Sequence, residues 1–312
     1  MADSYRTFAV VNPRSANGST YRRWSDIARR IEASVGVFQH AFTERAFHAP
    51  ELARKALEAG YEMIVSVGGD GTHNEVANAF FREDGKPVRP GAVLGLISQG
   101  TGCDLVKTLK IPMGYEEAAR VLAGKATRTI DVGRTEFSSA NGERRIRYFV
   151  NITDFGLGGL VIDKVNKTTK AFGGRLSFLL GTVRGLIAYE NQPMRIELDG
   201  KEVVEGKFQG VVVANGKFFG GGMKIAPQAE PDDGAFDVIF MGDIGFAENL
   251  KFTRAIYQGR MESSPKVFRR TARKISATAP ETVYIDMDGE GPGVLPITIE
   301  LLPKALSVKV AG

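Results

Sequence analysis

Residues 63–75 have the sequence MIVSVGGDGTHNE, and this stretch decides the fold of the first half of the chain. Its first five residues form a short apolar run that predicts a buried strand, and the pattern of residues 73–81 predicts a helix. The glycines between them let the backbone approach a ligand closely. Because a helix begins with free N–H groups and the positive end of its dipole, the segment suits an anion.

Asp70 stands in the middle of the string Gly68-Gly69-Asp70-Gly71-Thr72. A carboxylate repels a phosphate unless a cation lies between them, and Mg²⁺ prefers oxygen ligands of this kind. The string therefore predicts an anion site that includes magnesium. A tight turn between strand and helix, with no ligand, is the alternative interpretation.

Apolar runs and helical patterns alternate on both sides of this stretch as far as residue 130. Further strands are predicted at residues 7–11, 37–42 and 92–97, and further helices at residues 19–35, 50–59 and 115–123. Such alternation is typical of a Rossmann-like α/β domain with a mostly parallel sheet. We therefore predict a nucleotide-binding α/β domain over residues 1–130.

Two more polar segments follow predicted strands of the same sheet, residues 12–18 and residues 98–104. Ligands of open α/β sheets bind at the carboxyl ends of the strands, so the three segments are expected at one edge. Neither the P-loop pattern Gly-x₄-Gly-Lys-Ser/Thr nor the dinucleotide pattern Gly-x-Gly-x-x-Gly occurs in the chain.

The second half of the chain has the pattern of an antiparallel β domain. Asn141-Gly142 and Asp199-Gly200 are hairpin signals between apolar runs. Further strands are predicted at residues 209–214, 236–241, 267–275, 282–287 and 297–301, and helices at residues 176–189 and 246–258. We predict a β-sandwich over residues 131–302, while the last strand, within residues 303–312, could return to either domain.

Composition narrows the functional classes. Lys and Arg number 41 and Asp and Glu 36, and the resulting net charge of +5 does not demand a nucleic acid partner. The single cysteine, Cys103, and the three histidines argue against disulfides and zinc, and favour the cytoplasm. No apolar run approaches the ~20 residues that span a bilayer, although the protein could still bind to a membrane surface.

A set of motifs, in order along the chain, resembles the diacylglycerol kinase catalytic-domain superfamily, whose nearest members here are soluble bacterial lipid kinases. The motifs are Asn12-Pro13, GGDGT with Asn74-Glu75-Val76, GTGCD at 100–104, Asn151 with residues 156–161, Ala214-Asn215-Gly216, residues 220–222, Ala226-Pro227, Asp232-Asp233-Gly234 and Asp288-Gly289-Glu290. NAD kinases and phosphofructokinases share GGDGT and this fold class, so the C-terminal motifs are the discriminating ones.

The resemblance implies a nucleotide site, with ATP held in the cleft between two domains. The residues expected around ATP are Asn12, Thr43, Gly68, Gly69, Asp70, Gly71, Thr72, Glu75, Gly100 and Thr101. It also implies that Asp70, Asp104 and Asp131 surround the catalytic Mg²⁺ through water. A helix N-cap is the alternative for Asp104, and a solvated strand position is the alternative for Asp131.

The same resemblance implies two sites in the second domain. Phosphoryl transfer to a hydroxyl uses a base near the acceptor, and Asp288 and Glu290 are equal candidates for it. A plain Asp-Gly hairpin turn is the alternative. A second, structural Mg²⁺ is expected on the Asp233 carboxylate and the backbone carbonyls of Glu230 and Ala235.

A lipid acceptor calls for basic and apolar surface near the site, and peripheral association with the inner face of the membrane. The basic candidates are Lys251, Arg254, Arg260, Arg269, Arg270, Arg273 and Lys274, with a solvated face as the alternative. Phe218 and Phe219 are expected in an acyl pocket or in the core. The apolar residues of 176–187 are expected in the core or at the membrane, and a homodimer is left open.

The sequence therefore predicts a Mg²⁺- and ATP-dependent kinase that phosphorylates a hydroxyl of a diacylglycerol-like lipid. A ceramide or sphingoid-base kinase of the same superfamily is the alternative. A NAD kinase, or a regulator that binds nucleotide or lipid without turnover, is more distant, because neither explains the retained acids of the C-terminal motifs.

Overall fold

The computed structural model describes residues 5–100, 102–139, 141–168, 189–245, 248, 255–260 and 264–312. The chain divides into two compact units, residues 1–132 with 302–312, and residues 133–301. The predicted helix at 176–189 and most of the one at 246–258 lie outside the described residues, as does Thr101.

The elements of the first unit alternate between strand and helix. They are β1 (Thr7–Val11), α1 (Ser19–Arg22), α2 (Trp24–Val35), β2 (Gln39–Phe42), α3 (Ala49–Glu58), β3 (Met63–Gly68), α4 (Asp70–Asn78), β4 (Val93–Ser98), α5 (Asp104–Thr108) and α6 (Tyr115–Ala123), with a short 3₁₀ turn at Ser15–Gly18. The strands β5 (Thr127–Ser138) and β15 (Glu290–Lys309) each begin in one unit and end in the other.

The strands of the first unit form a parallel sheet in the order β15, β4, β3, β1, β2. Val10 pairs with Ser66 on one side and Ala41 on the other, and Val65 pairs with Gly95. Alternate strand residues, such as Val65 and Val67, pack with α2 and α6 in a core of aliphatic side chains. The Rossmann-like prediction is confirmed for this unit.

The last strand was left open between the two domains, and the structure assigns it to the first unit. Ser307 and Val308 of β15 pair in parallel with Val93 and Leu94 of β4. Leu306 and Val308 are fully buried there. The apolar alternation of this strand was visible in the sequence, but its pairing partner depends on the fold.

Several predicted bounds in the first unit were wrong; the helix predicted to end at residue 81, for example, ends at Asn78. The helix predicted over residues 19–35 is interrupted at Arg23, whose backbone is not helical (φ −99°, ψ 4°), although the apolar period continues across it. The helix after β3 begins at Asp70 rather than His73, so only Gly69 separates strand from helix. The expected five-residue loop is therefore mostly the first turn of α4.

The second unit is antiparallel. Its further elements are β6 (Arg144–Phe149), β7 (Ile152–Gly156), α7 (Leu157–Thr168), β8 (Gln192–Leu198), β9 (Glu202–Phe208), β10 (Gly210–Ala214), β11 (Phe236–Met241), β12 (Val267–Ala272), β13 (Lys274–Thr278) and β14 (Tyr284–Met287). The sequence predicted neither β7 nor α7. The strand predicted over residues 267–275 is two strands, which meet at Arg273.

One strand links the two layers of this unit. The first part of β15 pairs with β14, and residues 297–300 pair with β13. A large apolar cluster, which includes Phe149, Phe155 and Phe236, combines residues from both groups of strands. The predicted hairpins are present, since β5 pairs with β6 and β8 with β9. The β-sandwich prediction is confirmed.

Candidate active site

Three neighbouring parallel strands bring polar residues together at their carboxyl ends. Asn12 follows β1 and its N–H donates to Val67 O at 2.9 Å, while the N–H of Thr43, after β2, donates to Val11 O at 2.8 Å. Asn12 Nδ2 also donates to Thr72 Oγ1 at 3.0 Å, which joins the end of β1 to the first turn of α4.

A cavity of about 230 Å³ opens at this edge. Its lining residues are Asn12, Arg14, Thr43, Glu44, Arg45, Ala46, Thr72 and Glu75. Glu75 Oε1 accepts the N–H of Phe47 at 3.3 Å, so the acid holds the loop after β2. Four of the predicted nucleotide residues, Asn12, Thr43, Thr72 and Glu75, are therefore neighbours around one cavity.

The two glycine segments touch each other. Gln99 N donates to Gly68 O at 2.6 Å. A Cβ atom at Gly100 would lie 2.9 Å from the Cα of Gly69, so any larger residue would separate the segments. Gly68 and Gly71 belong to the end of β3 and the first turn of α4.

Asp70 caps a different helix from its own. Its Oδ1 accepts the N–H groups of Asp104 at 2.9 Å and Leu105 at 3.4 Å, at the start of α5. The N-cap residue of α5 is Cys103 (φ 55°), which makes no side-chain cap. The N-cap alternative for Asp104 is therefore wrong, because Asp70 supplies the cap from α4.

Asp70 and Asp104 nevertheless face one small space. A Cβ atom at Gly102 would lie 2.6 Å from Asp70 Oδ2 and 3.4 Å from Asp104 Oδ2. Lys107 Nζ lies 3.4 Å from Asp104 Oδ1 and donates to Gly102 O at 2.6 Å. Two carboxylates suit a hydrated Mg²⁺, which would share this space with the Lys107 ammonium.

Asp131 is held by another part of the first unit. It is fully buried, and its Oδ1 accepts the N–H of Lys304 at 2.6 Å, so the solvated alternative is wrong. Among the described residues, no group of three His, Cys, Asp or Glu side chains is arranged to hold a metal ion. The three-acid network stays a prediction, with Asp70 and Asp104 as the members that face one space.

His73, next in the chain after the glycine string, is a buried neutral side chain. Burial lowers the pKa of its imidazole to about 3. One ring nitrogen, Nδ1, lies 2.8 Å from Ser66 Oγ on β3. The residue therefore packs α4 onto the sheet, and it is not a base that works near neutral pH.

The Asp288-Gly289 dipeptide forms the hairpin turn between β14 and β15, with φ of 50° and 88°. Asp288 Oδ2 accepts the N–H of Val150 at 3.0 Å, and Oδ1 accepts those of Asn151 at 3.2 Å and Ile152 at 2.8 Å. The alternative interpretation, a hairpin turn at Asp288-Gly289, is thus correct for the backbone. The Asp288 carboxylate has a further structural role. It fixes the junction between β6 and β7.

Two acids that the sequence did not single out lie beside this turn. Asp154 on β7 stands directly opposite Asp286 on β14. Burial raises the pKa of Asp154 to about 7, and burial with the charge of Asp154 raises the pKa of Asp286 well above its usual value. All five residues of β7 are buried, so no alternation marks the strand, but an acid among such residues is unusual and could have drawn attention to Asp154.

The predicted structural ion site is a compact turn. Asp233 Oδ1 accepts the N–H of Ala235 at 3.1 Å, and Asp233 N lies 3.5 Å from Glu230 O. The Glu230 side chain forms an ion pair with Lys217 at 2.6 Å. Its backbone carbonyl, rather than its carboxylate, would therefore be the metal ligand. One carboxylate and two carbonyls fit Mg²⁺ completed by water.

Three of the five basic candidates that the structure describes form ion pairs in this unit. Arg269 pairs with Asp237, Arg270 with Glu202 and Lys274 with Glu300. Lys251 and Arg254 lie outside the described residues. These ion pairs fit the solvated-face alternative for the strand residues better than a free basic patch.

The phenylalanine pair divides between core and surface. Phe219 packs against the apolar cluster that contains Ile152 and Ile225, which is the core alternative. Phe218 is half-buried, and its carbonyl accepts Asn151 Nδ2 at 2.9 Å. In the described part of the chain, no helix is long and apolar enough to cross a membrane.

Comparison with known families covers both units. The diacylglycerol kinase catalytic domain family matches residues 6–135, and the YegS C-terminal NAD kinase beta sandwich-like domain matches residues 151–310. The chain belongs to the diacylglycerol kinase catalytic-domain superfamily. The resemblance seen in the motifs is therefore confirmed, and members of this superfamily are phosphotransferases that use ATP.

Individual relatives in the superfamily align along nearly the whole chain. The diacylglycerol kinase of Bacillus subtilis strain 168 is 28% identical over 294 residues, 93% of this chain and 91% of that protein. The diacylglycerol kinase of Staphylococcus carnosus strain TM300 is 26% identical over 303 residues, 97% of this chain and 94% of that one.

Solved structures show the same fold. A diacylglycerol kinase from Bacillus anthracis strain Sterne superposes with a TM-score of 0.75 at 23% identity, covering 100% of this chain and 98% of that one. Yeast NADH kinase, solved with NADH, gives 0.51 at 10% identity, covering 98% and 83%. Both structures are less than 25% identical to this chain, so each shows similarity of fold alone.

Proposed function

We propose that this member of the superfamily is a lipid kinase that transfers the γ-phosphoryl group of ATP to a hydroxyl of a diacylglycerol-like lipid. The observation that carries the proposal is the match of both family domains, together with the convergence of Asn12, Thr43, Thr72 and Glu75 on one cavity. The named relatives are diacylglycerol kinases, which supports this acceptor class.

On the nucleotide side, the chain offers donors to phosphate. The first turn of α4 has no side-chain cap, so its N–H groups are available to an anion. Arg14 and Arg45 line the same cavity. Both guanidinium groups suit phosphate oxygens, and Arg45 would exchange its ion pair with Glu51 for a phosphate contact. The cavity is smaller than the roughly 300–1,000 Å³ of a typical ligand site, so it suits a part of ATP such as the phosphate chain.

Asp70 and Asp104 are the residues that would hold the catalytic magnesium, through water. When bound, Mg²⁺ neutralises charge on the transferred phosphoryl group. Asp70 also keeps α5 in place through its cap, so one side chain serves the structure and the ion. Asp131 is proposed as an outer member of this network, held by Lys304.

On the acceptor side, the Asp288-Gly289-Glu290 turn supplies the carboxylate that accepts the hydroxyl proton. Asp288 is rigidly held by three backbone N–H groups, and Glu290 begins β15 at the end of the same turn. Both remain candidates for the base. The turn at 230–235 is proposed to bind the structural Mg²⁺.

A lipid substrate requires contact with a membrane surface, so we also propose peripheral association. Sedimentation with vesicles of phosphatidylglycerol and phosphatidylcholine, with and without diacylglycerol, measures it. Binding that disappears with high salt supports attraction between basic residues and anionic lipid. Failure to sediment with any vesicle contradicts the association.

The test of the function is transfer of labelled γ-phosphate from Mg²⁺-ATP to lipids in mixed micelles. The panel contains diacylglycerol, monoacylglycerol, phosphatidylglycerol, ceramide and sphingosine, with NAD as the soluble control. Label on diacylglycerol is the expected result, and label on ceramide or sphingosine alone identifies the alternative acceptor class. Label on NAD alone, or ATP binding without label on any acceptor, overturns the proposal.

A further inference from the structure

Asp154 and Asp286 occupy facing positions on adjacent antiparallel strands. They are direct partners in the register of β7 and β14. Side chains at such positions point to the same face, with Cβ atoms about 4.5–5.5 Å apart. Phe155, the next residue after Asp154, belongs to the sandwich core. The two carboxyl groups therefore lie together on the opposite face of the sheet.

The start of α7 covers this face. A Cβ atom at Gly158 would lie 2.1 Å from Asp154 Oδ1, and one at Gly159 would lie 2.1 Å from Tyr284 O. The Gly159 N–H donates to the Asp154 carboxylate. Only glycine allows the helix to pack so closely, and as a result Asp154 is 3% exposed.

One oxygen of this buried acid has no partner. Asp154 Oδ2 makes no hydrogen bond, and the buried hydroxyl of Tyr189 makes none either. A carboxylate oxygen and a phenol cut off from water cost free energy unless they find partners. A proton held between Asp154 Oδ2 and a neighbouring carboxyl group would give this oxygen a partner.

The groups that act on the pair are acidic or apolar. Asp288 and Glu290 raise the pKa of Asp286 further by their charges, after burial and Asp154, and Tyr189 lies close to Asp154. Val212 is the partner of Asp154 on β10. The first turn of α7, Leu157-Gly158-Gly159-Leu160, carries no charge, and the nearest described acid of that helix is Asp163.

We propose that Asp154 and Asp286 hold one proton between them, and that this acid pair fixes the Asp288-Gly289-Glu290 turn. Asp154 is buried and Asp286 is half-buried. Two ionised carboxylates at these facing positions repel each other, and a single shared proton removes the repulsion. The proton gives Asp154 Oδ2 its missing partner. Asp286 Oδ1 accepts the Gly289 N–H at 2.8 Å, so the pair supports the turn directly.

The role in catalysis rests on the proposed function, because the turn is the proposed source of the base. Asp154 and Asp286 are positioning residues, since they act through the turn rather than on the substrate. The shared proton itself does not depend on the activity. It is therefore testable by a measurement of stability that needs no substrate.

The first experiment compares the melting temperature of wild type and Asp154→Asn from pH 5 to pH 8. The amide imitates a protonated acid, so the variant is expected to fold. An acid with a raised folded pKa stabilises the protein at low pH and loses that contribution as pH rises toward about 7. The variant lacks this loss, so its melting temperature relative to wild type should rise with pH.

Glu281→Gln is the matched control, because this exposed acid precedes β14 and lies in the same unit. Removal of this exposed charge should not reproduce the rise with pH that is expected of Asp154→Asn. The proposal is overturned if Asp154→Asn fails to fold. It is equally overturned if the difference between Asp154→Asn and wild type does not change with pH.

The second experiment uses kinetics with ATP and diacylglycerol. Asp286→Ala removes the acceptor of the Gly289 N–H, and kcat should fall about tenfold or more with the KM for ATP unchanged. Asp286→Asn keeps an oxygen at that position and should restore most of kcat. Equal losses in both variants contradict the support of the turn. Wild type that phosphorylates no lipid refutes the proposed function, while the melting experiment still decides the shared proton.

Discussion

Asp288 and Ile152 exchange two hydrogen bonds. Asp288 N donates to Ile152 O at 2.9 Å, and Ile152 N donates to Asp288 Oδ1 at 2.8 Å. The bonds tie the hairpin turn after β14 to the first residue of β7. A residue proposed for chemistry on motif grounds is thus also a structural connection, and experiments must separate the two roles.

Asp288→Asn should lower stability as well as rate. The carboxylate uses both oxygens to accept three N–H groups, and an amide replaces one of those acceptors with a donor. The loss of hydrogen bonds to a charged group predicts a decrease of roughly 1.5–3 kcal/mol in the free energy of unfolding. Denaturation by urea measures this decrease, and steady-state kinetics measures kcat.

Glu290→Gln is the companion variant. It keeps the shape of the side chain at the start of β15 and removes its charge, so kcat should fall with little change in stability. A stable Asp288→Asn protein with normal kcat would show that Asp288 is neither the base nor needed to stabilise the turn. If Glu290→Gln has normal kcat, Glu290 is not the base.

Asp70→Ala and Asp70→Asn should separate the cap of α5 from the magnesium role. Alanine removes the acceptor of the Asp104 N–H and should cost about 1–2 kcal/mol of stability. Asparagine keeps an oxygen for that bond but loses the charge. We expect both variants to lose turnover and only alanine to lose stability, as measured by kcat and thermal melting. Near-normal turnover in Asp70→Asn would refute the magnesium role.

Thr72→Val should weaken ATP binding. It preserves the shape of the side chain but removes the oxygen that accepts Asn12 Nδ2, so the amide loses its anchor at the cavity. The expected cost is about 0.5–1.5 kcal/mol, or up to roughly tenfold in the dissociation constant for ATP by calorimetry. Thr72→Ser keeps the hydroxyl and should bind ATP like wild type. Equal affinities in all three proteins would exclude this contact from the nucleotide site.

His73 should make the first unit sensitive to acid. Its folded pKa of about 3 lies below the ordinary value of 6.5, so the unfolded chain takes up a proton first as pH falls. Stability from this group is therefore intact above pH 6.5 and is lost between 6.5 and about 3, by an amount of about 5 kcal/mol.

Urea denaturation of wild type and His73→Gln between pH 7 and pH 4 measures this effect. As pH falls, the free energy of unfolding of His73→Gln should rise relative to that of wild type. Ser66→Ala, which removes only the contact with the imidazole, should differ from wild type by a constant amount. A constant gap for His73→Gln would contradict the buried neutral imidazole.

Asp233→Ala should abolish stabilisation by a structural Mg²⁺. An ion present at 100 times its dissociation constant stabilises a protein by about 2.7 kcal/mol, so wild type treated with EDTA should melt higher once Mg²⁺ is added. Asp70→Asn should keep that rise if the ion binds at the 230–235 turn. An unchanged response in Asp233→Ala would show that the turn binds no ion.

The sequence determined most of the element types and the residues that carry chemistry. β1, β11 and α6 have the predicted bounds, because apolar periodicity is a local property. The sequence also determined the superfamily, because the motifs of the superfamily are short and occur in order along both halves of the chain. The sequence did not predict the interruption at Arg23, because one non-helical residue leaves the period of the apolar residues unchanged.

Only the tertiary structure decided which distant residues meet. Asp70 caps α5, the last strand joins β4, and Asp154 faces Asp286, each by pairing of segments far apart in the chain. Burial, which decides whether an acid keeps its proton, depends on those pairings. Local sequence fixes a residue's chemistry, and packing fixes its neighbours and its protonation state.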